Sequence, residues 1–435
     1  MTTDWARDFY KNLENRGIRP GLDRIREVMD RLGNPQESTP FIHVAGTNGK
    51  GSVALMTAHI LTEAGYRTGL FRSPAVTTFE DQIQVDGRPI SPRDLAACTE
   101  EIRRVADDMA DPPTAFEALT ALALLHFARK ACDFAVVEVG MGGLEDATNL
   151  IPPPRLALIT RLGLDHLGVL GDSLSDIARH KAGIIKEGSG AALAYPSEEE
   201  GLAVVRAQAQ ACGVPFGVVD RDRIRPRTMD PDGQSFDWLP SPDGRGMALE
   251  GLTLPLLGRH QLTNAGLVLT AMESLRGMSY TVPEEAVRHG LAQARLACRM
   301  EVLRKNPLFL LDGGHNPQGV ESLVDLIHDL LPQGKVHFLM GMLKDKDVDR
   351  VLDLVLPCGE TFSCVTPDHP TRALSAQTLA EAIQKKGGSA QAFSTLEEGL
   401  DRALASNKPL VAFGSFYTAG PIRKLFLKKE GADRR

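Results

Sequence analysis

Lys50 and Ser52 close the glycine-rich stretch Gly46-Thr47-Asn48-Gly49-Lys50-Gly51-Ser52, which follows the apolar run Phe41-Ile42-His43-Val44-Ala45. Glycines, a lysine and a hydroxyl at a helix start can hold a phosphate chain. Backbone N–H groups and the positive helix end attract the anion, the ammonium adds charge, and the hydroxyl suits Mg²⁺. Val53, Met56, Ile60 and Leu61 then recur at helical spacing, so a strand, a loop and a helix are expected in succession. Gly51 separates Lys50 from Ser52, and the pattern G-x-x-x-x-G-K-[ST] is not met. A tight turn whose glycines only supply positive φ is the other reading.

Further candidates sit where apolar runs end. Phe134-Ala135-Val136-Val137-Glu138-Val139-Gly140 reads as a strand buried on both faces, as parallel sheets require. Glu138 at its end is either a ligand for metal or water beside the loop, or a capping or ion-paired acid. Leu156–Thr160 is a second such run, followed by Gly163-Leu164-Asp165-His166. His166 is either a ligand or merely hydrogen-bonded. Lys181 falls late in a helix, with a strand after it, and Ser73-Pro74 follows the short strand Thr68–Phe71.

The elements that must position these residues alternate between strand and helix. Residues 4–33 read as helical with a break at Gly17–Pro20, and helices are expected near 92–109 and 114–130. Residues 76–90 alternate weakly and turn at Asp86-Gly87. Residues 217–257 are short pieces broken at Asp230-Pro231-Asp232-Gly233 and Ser241-Pro242-Asp243-Gly244, which predicts a small β insertion on the sheet's edge. The pattern restarts near 298, with a strand at Leu308–Leu311 ending in Asp312-Gly313-Gly314-His315-Asn316-Pro317. Strands near 335–340, 360–365, 390–393 and 409–413 then alternate with helices. The fold class is therefore α/β: a P-loop-type parallel sheet domain with a small β insertion, residues 1–295, then a smaller Rossmann-like α/β domain, residues 296–435.

The 435 residues suffice for two or three cores, and the net charge of −7 excludes a general nucleic-acid binder. Six scattered cysteines with no C-x-x-C pair fit reduced thiols rather than a disulfide frame or a zinc site. No signal peptide and no apolar stretch long enough for a bilayer are apparent, so a cytoplasmic protein without membrane contact is expected. A monomer acting on small molecules is expected.

Taken in order, these words resemble the folylpolyglutamate synthase/dihydrofolate synthase family of the Mur ligase superfamily, over about residues 16–427. They include the loop Gly46–Ser52, Ser73-Pro74, Glu138–Gly143 with Asp146-Ala147-Thr148-Asn149, Gly163–His166 and Lys181-Ala182-Gly183-Ile184. His260-Gln261 with Asn264-Ala265, Asp312–Pro317 and Lys344-Asp345-Lys346-Asp347 complete the set. The resemblance implies a reaction. A substrate carboxylate takes the γ-phosphoryl of ATP, and the amino group of L-glutamate attacks the acyl phosphate to give an amide, ADP and phosphate.

It also implies roles. Thr47, Asn48, Gly49, Lys50, Gly51 and Ser52 would hold ATP, together with Gln261, Asn264, Arg299 and Asp312. Ser52, Ser73, Glu138 and His166 would hold Mg²⁺, and Lys50, Glu138, His166 and Lys181 would be catalytic. Lys181 matches the family lysine that becomes carbamylated, a plain ammonium being the alternative. Asp312 and His315 would face the substrate. Departures from the family pattern are Ala75 for His, Glu80-Asp81-Gln82-Ile83 for Asn-Glu-Arg-Ile, Leu144 for Arg, Ala297-Cys298 for Pro-Gly, and His180 for Glu. The acid acceptor is expected to be dihydropteroate, a folate, or both. A superfamily ligase joining a different acid and amine, and a nucleotide-binding regulator, are the competing readings.

Overall fold

The computed structural model describes residues 4–164, 168–244, 246–332 and 334–431. The chain divides into two compact units. One comprises Met1–Arg225, Phe236–Thr253 and Leu262–Ala294, and the other Pro226–Ser235, Leu254–Gln261 and Arg295–Arg435.

The first sheet is built from β1 (Phe41–Ala45), β2 (Thr68–Phe71), β3 (Ile83–Val85), β4 (Arg88–Pro89), β5 (Phe134–Glu138), β6 (Leu156–Ile159), β7 (Ala191–Ala194) and β8 (Phe216–Val218). Its order is β4-β3-β2-β5-β1-β6-β7-β8. From β2 to β8 the strands are parallel, while β3 and β4 form an antiparallel edge. That edge turns at Asp86-Gly87, both with positive φ, as a two-residue hairpin requires. Every residue of β5, β1 and β6 is buried, which explains their unbroken apolar runs. Phe41 pairs with Ala135 and Ile42 with Leu156, so the carboxyl ends of these three strands lie side by side. Ligands of parallel α/β sheets bind at that edge.

Helix Lys50–Glu63 is apolar almost all round because the sheet covers one side and helix Glu284–Ala292 another. The N-terminal helices Asp4–Leu13 and Asp23–Arg31 pack on helices Pro92–Asp107 and Ala115–Arg129. Phe71, Phe127 and Phe134 are fully buried in this unit, each contributing about 1.5–3 kcal/mol.

The expected β insertion takes a different place. Only β8 joins the large sheet's edge, while β9 (Ile224–Asp230), β10 (Gly233–Trp238) and β11 (Leu249–Leu254) form a three-stranded sheet of their own. Phe236 and Trp238 explain this, since both are fully buried and need apolar cover that an edge strand lacks. Trp238 Nε1 donates to Glu273 on helix Arg259–Gly277 at 3.1 Å, and Arg223 pairs with the same carboxylate at 2.7 Å.

The second unit holds β12 (Glu301–Lys305), β13 (Leu308–Leu311), β14 (Val336–Met340), β15 (Gly359–Cys364), β16 (Ala390–Ala392) and β17 (Leu410–Phe413), in the order β12-β13-β17-β14-β15-β16. All pairs are parallel except β12–β13. The edge strand β12 has no counterpart in the sequence reading, because its half-exposed, charged residues give no apolar run. Among the described residues, no helix is long and apolar enough to cross a membrane.

Candidate active site

The turn from β1 into helix Lys50–Glu63 is held from below by β6. The amide of Thr47 donates to Arg161 O at 2.9 Å and that of Asn48 to the same oxygen at 3.3 Å. Thr47 Oγ1 donates to Gly163 O at 2.9 Å and accepts from Gly163 N at 3.1 Å. Thr47 and Asn48 therefore brace the loop, and the amides of the following helix turn are the ones at its open start. Gly46 adopts φ +147, and any side chain there would run into Thr160. At Gly49, φ is +92 and a Cβ would lie 2.8 Å from Asn264 Oδ1, so the Asn264 amide is seated against the loop. Gln261 stands one turn earlier on the same helix and is also buried.

Two lysines converge on this turn. Lys50 Nζ donates to Gly46 O at 3.1 Å and to Thr47 O at 3.3 Å. Lys181 Nζ, on helix Leu174–Ala182, donates to the same Gly46 oxygen at 2.8 Å, and its residue is only 3 % exposed. As ammonium groups the two would repel each other at low dielectric, and an anion drawn between them would relieve that repulsion. Glu138, at the end of β5, brings Oε2 to 3.3 Å from where a Cβ of Gly51 would stand. Ser52 and Glu138 are both buried, and Ser73 is half-buried two residues past β2. His166 lies outside the described residues.

Beneath the site runs a buried network that motif reasoning did not assign. Asp146 Oδ2 accepts from Met141 N at 2.8 Å, and Oδ1 from Thr148 N at 3.0 Å and Thr148 Oγ1 at 2.6 Å. His43 Nε2, on β1, meets Thr148 Oγ1 at 2.9 Å. Burial pushes the Asp146 carboxyl above the usual range against these bonds, and the imidazole of His43 well below its own. Asn149 Nδ2 donates to Leu144 O at 3.0 Å and Gly183 O at 3.1 Å, tying the loop after Glu138 to the helix of Lys181. Lys186 Nζ then donates to Asn149 O at 2.7 Å and Ile151 O at 2.5 Å, and burial lowers its pKa to about 8. The D-x-T spacing is the local signal from which the turn at Asp146 could have been found. The reach of 34 residues from Asn149 to Gly183 has no local signature.

In the second unit Asp312 follows β13 and is 4 % exposed. Its Oδ1 accepts from Gly314 N at 3.1 Å. Burial raises its pKa to about 6, and the Arg299 guanidinium opposes that rise. Arg299 itself lies 4.5 Å above the Phe416 ring. His315 Nδ1 meets Gly313 O at 2.9 Å, and Asn316 caps helix Pro317–Leu330. A raised carboxyl pKa favours folding while the group is protonated, and that advantage is lost as pH rises from about 4 through about 6. Asp312→Asn removes the dependence. The melting-temperature difference, variant minus wild type, is therefore expected to grow between pH 4 and pH 8, as thermal unfolding measures; a constant difference contradicts it.

Comparison with known proteins decides between the readings of this arrangement. The family described as Mur ligase middle domain matches residues 44–272, and the Mur ligase, glutamate ligase domain matches residues 298–415. A Bacillus subtilis dihydrofolate synthase/folylpolyglutamate synthase is 34% identical over 417 residues, 94% of this chain and 95% of the relative. This chain belongs to the folylpolyglutamate synthase/dihydrofolate synthase family of Mur ligases. It is similar throughout to the Mycobacterium tuberculosis folylpolyglutamate synthase solved with ADP and AMPPCP, with TM-score 0.88, 31% identity, and coverage of 98% of this chain and 99% of that one. An Escherichia coli structure in complex with DHPP and ADP gives TM-score 0.84 at 28% identity, covering 98% of both chains. As a folylpolyglutamate synthase/dihydrofolate synthase family member the chain is an ATP-dependent, ADP-forming acid–amino-acid ligase.

That activity gives the geometry of this family member its meaning. Lys50, Ser52, Glu138, Lys181 and Asn264 come together around one strand–helix turn in the first unit. Arg299, Asp312 and His315 gather around the end of β13 in the second. The structure places two of the departing residues of the loop after Ser73. Glu80 is paired with Arg7 at 2.6 Å, so its charge is compensated, and Gln82 is buried and donates to Phe79 O at 3.1 Å.

Proposed function

We propose that this enzyme joins the amino group of L-glutamate to the carboxylate of a pterin-bearing acid, with dihydropteroate as the better acceptor. The observation that carries the reading is the pair of lysine head groups, Lys50 and Lys181, collected on the Gly46 carbonyl beside a helix start. An acid attacking ATP brings anion to anion, and fixed cations at the triphosphate screen that approach. The amides of Gly49 to Ser52 and Lys50 hold the β- and γ-phosphates. Asn264, pressed on the loop, and Gln261 hold the nucleotide. In the second unit Arg299 and Asp312 contact ATP, while Asp312 and His315 serve the substrate.

Mg²⁺ fits the donors present in the first unit. Ser52 and Ser73 hydroxyls and the Glu138 carboxylate are hard oxygen ligands, and His166 is the further candidate. Phosphate oxygens and water would complete such a shell. When bound, the ion supplies charge neutralisation at the phosphoryl being transferred.

The acceptor preference rests on charges that the loop after Ser73 lacks. Ala75 is exposed where a histidine is usual in the family, and the buried Gln82 stands in place of an arginine. With Glu80 neutralised by Arg7, the loop offers no net positive charge to an anionic glutamate tail. ADP release with dihydropteroate or tetrahydrofolate as acid and glutamate as amine is the test. A higher kcat/KM for dihydropteroate is expected. Preference for tetrahydrofolate reverses the ranking, and turnover only with another acid removes the substrate reading.

A further inference from the structure

We propose that the N-terminal helical arm, residues 4–31, positions the acid acceptor, acting through Arg7 and Arg24. The inference rests on the preceding reading that the loop after Ser73 meets the acid; that loop leaves the carboxyl edge of the first sheet at the end of β2. Two segments at that edge, outside the phosphate loop, meet the arm. One is the loop of residues 75–83, which follows Ser73. The other is the start of helix Ala115–Arg129, where the half-buried ring of Phe116 lies 6.0 Å from the Phe71 ring. Phe116 also lies against Gly140, where a Cβ would come to 2.5 Å from the ring, two residues beyond Glu138.

The arm grips both segments. Arg7 donates through Nε at 2.9 Å and through a terminal nitrogen at 2.6 Å to Glu80 Oε1. The Tyr10 ring lies 5.1 Å from Phe79 in the same loop, and its hydroxyl meets Thr99 Oγ1 at 3.1 Å. Arg24 pairs with Glu117 at 2.9 Å and 3.1 Å, with side chains only 12% and 4% exposed. Glu117 is the neighbour of Phe116, and its Oε2 also accepts from Thr114 N at 2.7 Å. One carboxylate thus fixes both the cap of this helix and, through Arg24, the arm. A planar guanidinium held at two nitrogens sets direction as well as distance.

The arm's other arginines do not form an open basic patch. Arg16 and Arg19 both engage Asp111, at 2.5 Å and 2.7 Å. The arm therefore acts by placing the loop and the Phe116 ring, not by binding the acid's charge itself. It also precedes the part matched to the Mur ligase middle domain, which starts at residue 44. The phosphate loop, Glu138 and Lys181 all fall within that match, so the arm is separate from the shared ATP machinery.

Steady-state kinetics of Arg7→Met, Arg24→Met and Arg24→Lys in the full chain, varying acid, ATP and glutamate in turn, test the proposal. For both methionine variants KM for the acid is expected to rise about tenfold while KM for ATP and for glutamate stays within about twofold. Arg24→Lys keeps the charge and is expected to recover part of the acid KM. Arg7 is half-exposed, so its variant folds even where loss of the buried Arg24 pair unfolds the chain. An unchanged acid KM overturns the proposal, as does a parallel rise for all three substrates that tracks melting temperature. Wild-type turnover is measured first. Its failure with both pterin acids counts against the substrate reading, and the arm is then judged by the same ratios on whichever acid is used.

Discussion

Lys50→Ala is expected to lower the rate of ADP release about 10³-fold while leaving the fold intact. The side chain lies across the loop, with Nζ on the carbonyls of Gly46 and Thr47, and contributes little to the core. The loop keeps its shape without it, because Thr47 and Asn48 hold Arg161 O, Thr47 holds Gly163, and Gly46 and Gly49 set the turn. Melting temperature should therefore stay within about 2 °C of wild type. The loss falls on the transferring phosphoryl, whose developing charge then lacks a fixed cation, so kcat suffers more than nucleotide affinity. A folded variant with near-normal ADP release would remove this loop from the reaction. Loss of activity together with loss of the folded state would instead make Lys50 a structural residue.

The strand–loop–helix turn at Gly46–Ser52 was legible because each part of it is local. An apolar strand, glycines and a helix start succeed one another within a few residues, and β1, β5 and β6 announce themselves as unbroken apolar runs. What escaped is of two kinds. The edge strand β12 carries half-exposed, charged residues, and the separate sheet of β9, β10 and β11 mixes exposed with fully buried residues whose pairing depends on distant cover. The supports of the site escaped because they join residues far apart in the chain. Arg24 reaches Glu117 across 93 residues, Asn149 reaches Gly183, and His43 meets Thr148 across 105. The partner of Glu80 escaped as well. The acid is real, but Arg7 neutralises it from a helix whose proximity no motif reveals.

Lys181→Met is expected to lower kcat by about 10²-fold or more, with a smaller change in stability than a buried lysine's removal usually brings. The methylene stem is kept in the variant and the helix around it is secured independently. Asn149 holds Gly183 O, the amide of Leu144 donates to His180 O at 2.8 Å, and Ser173 caps the helix start. What the variant lacks is the polar head on Gly46 O, the oxygen that Lys50 also uses. Without it one of the two lysine heads gathered on the loop is gone, and the rate is expected to fall without the loop collapsing. The chemical state of that head is open to the same assay. A carbamate retains one N–H for Gly46 O and turns an anion toward the Mg²⁺ donors, whereas an ammonium adds positive charge directly. Activity that falls in buffer stripped of carbon dioxide and returns with bicarbonate assigns the carbamate. Activity indifferent to bicarbonate assigns the ammonium. Near-normal kcat in Lys181→Met excludes both and leaves Lys50 as the cation that the transfer needs.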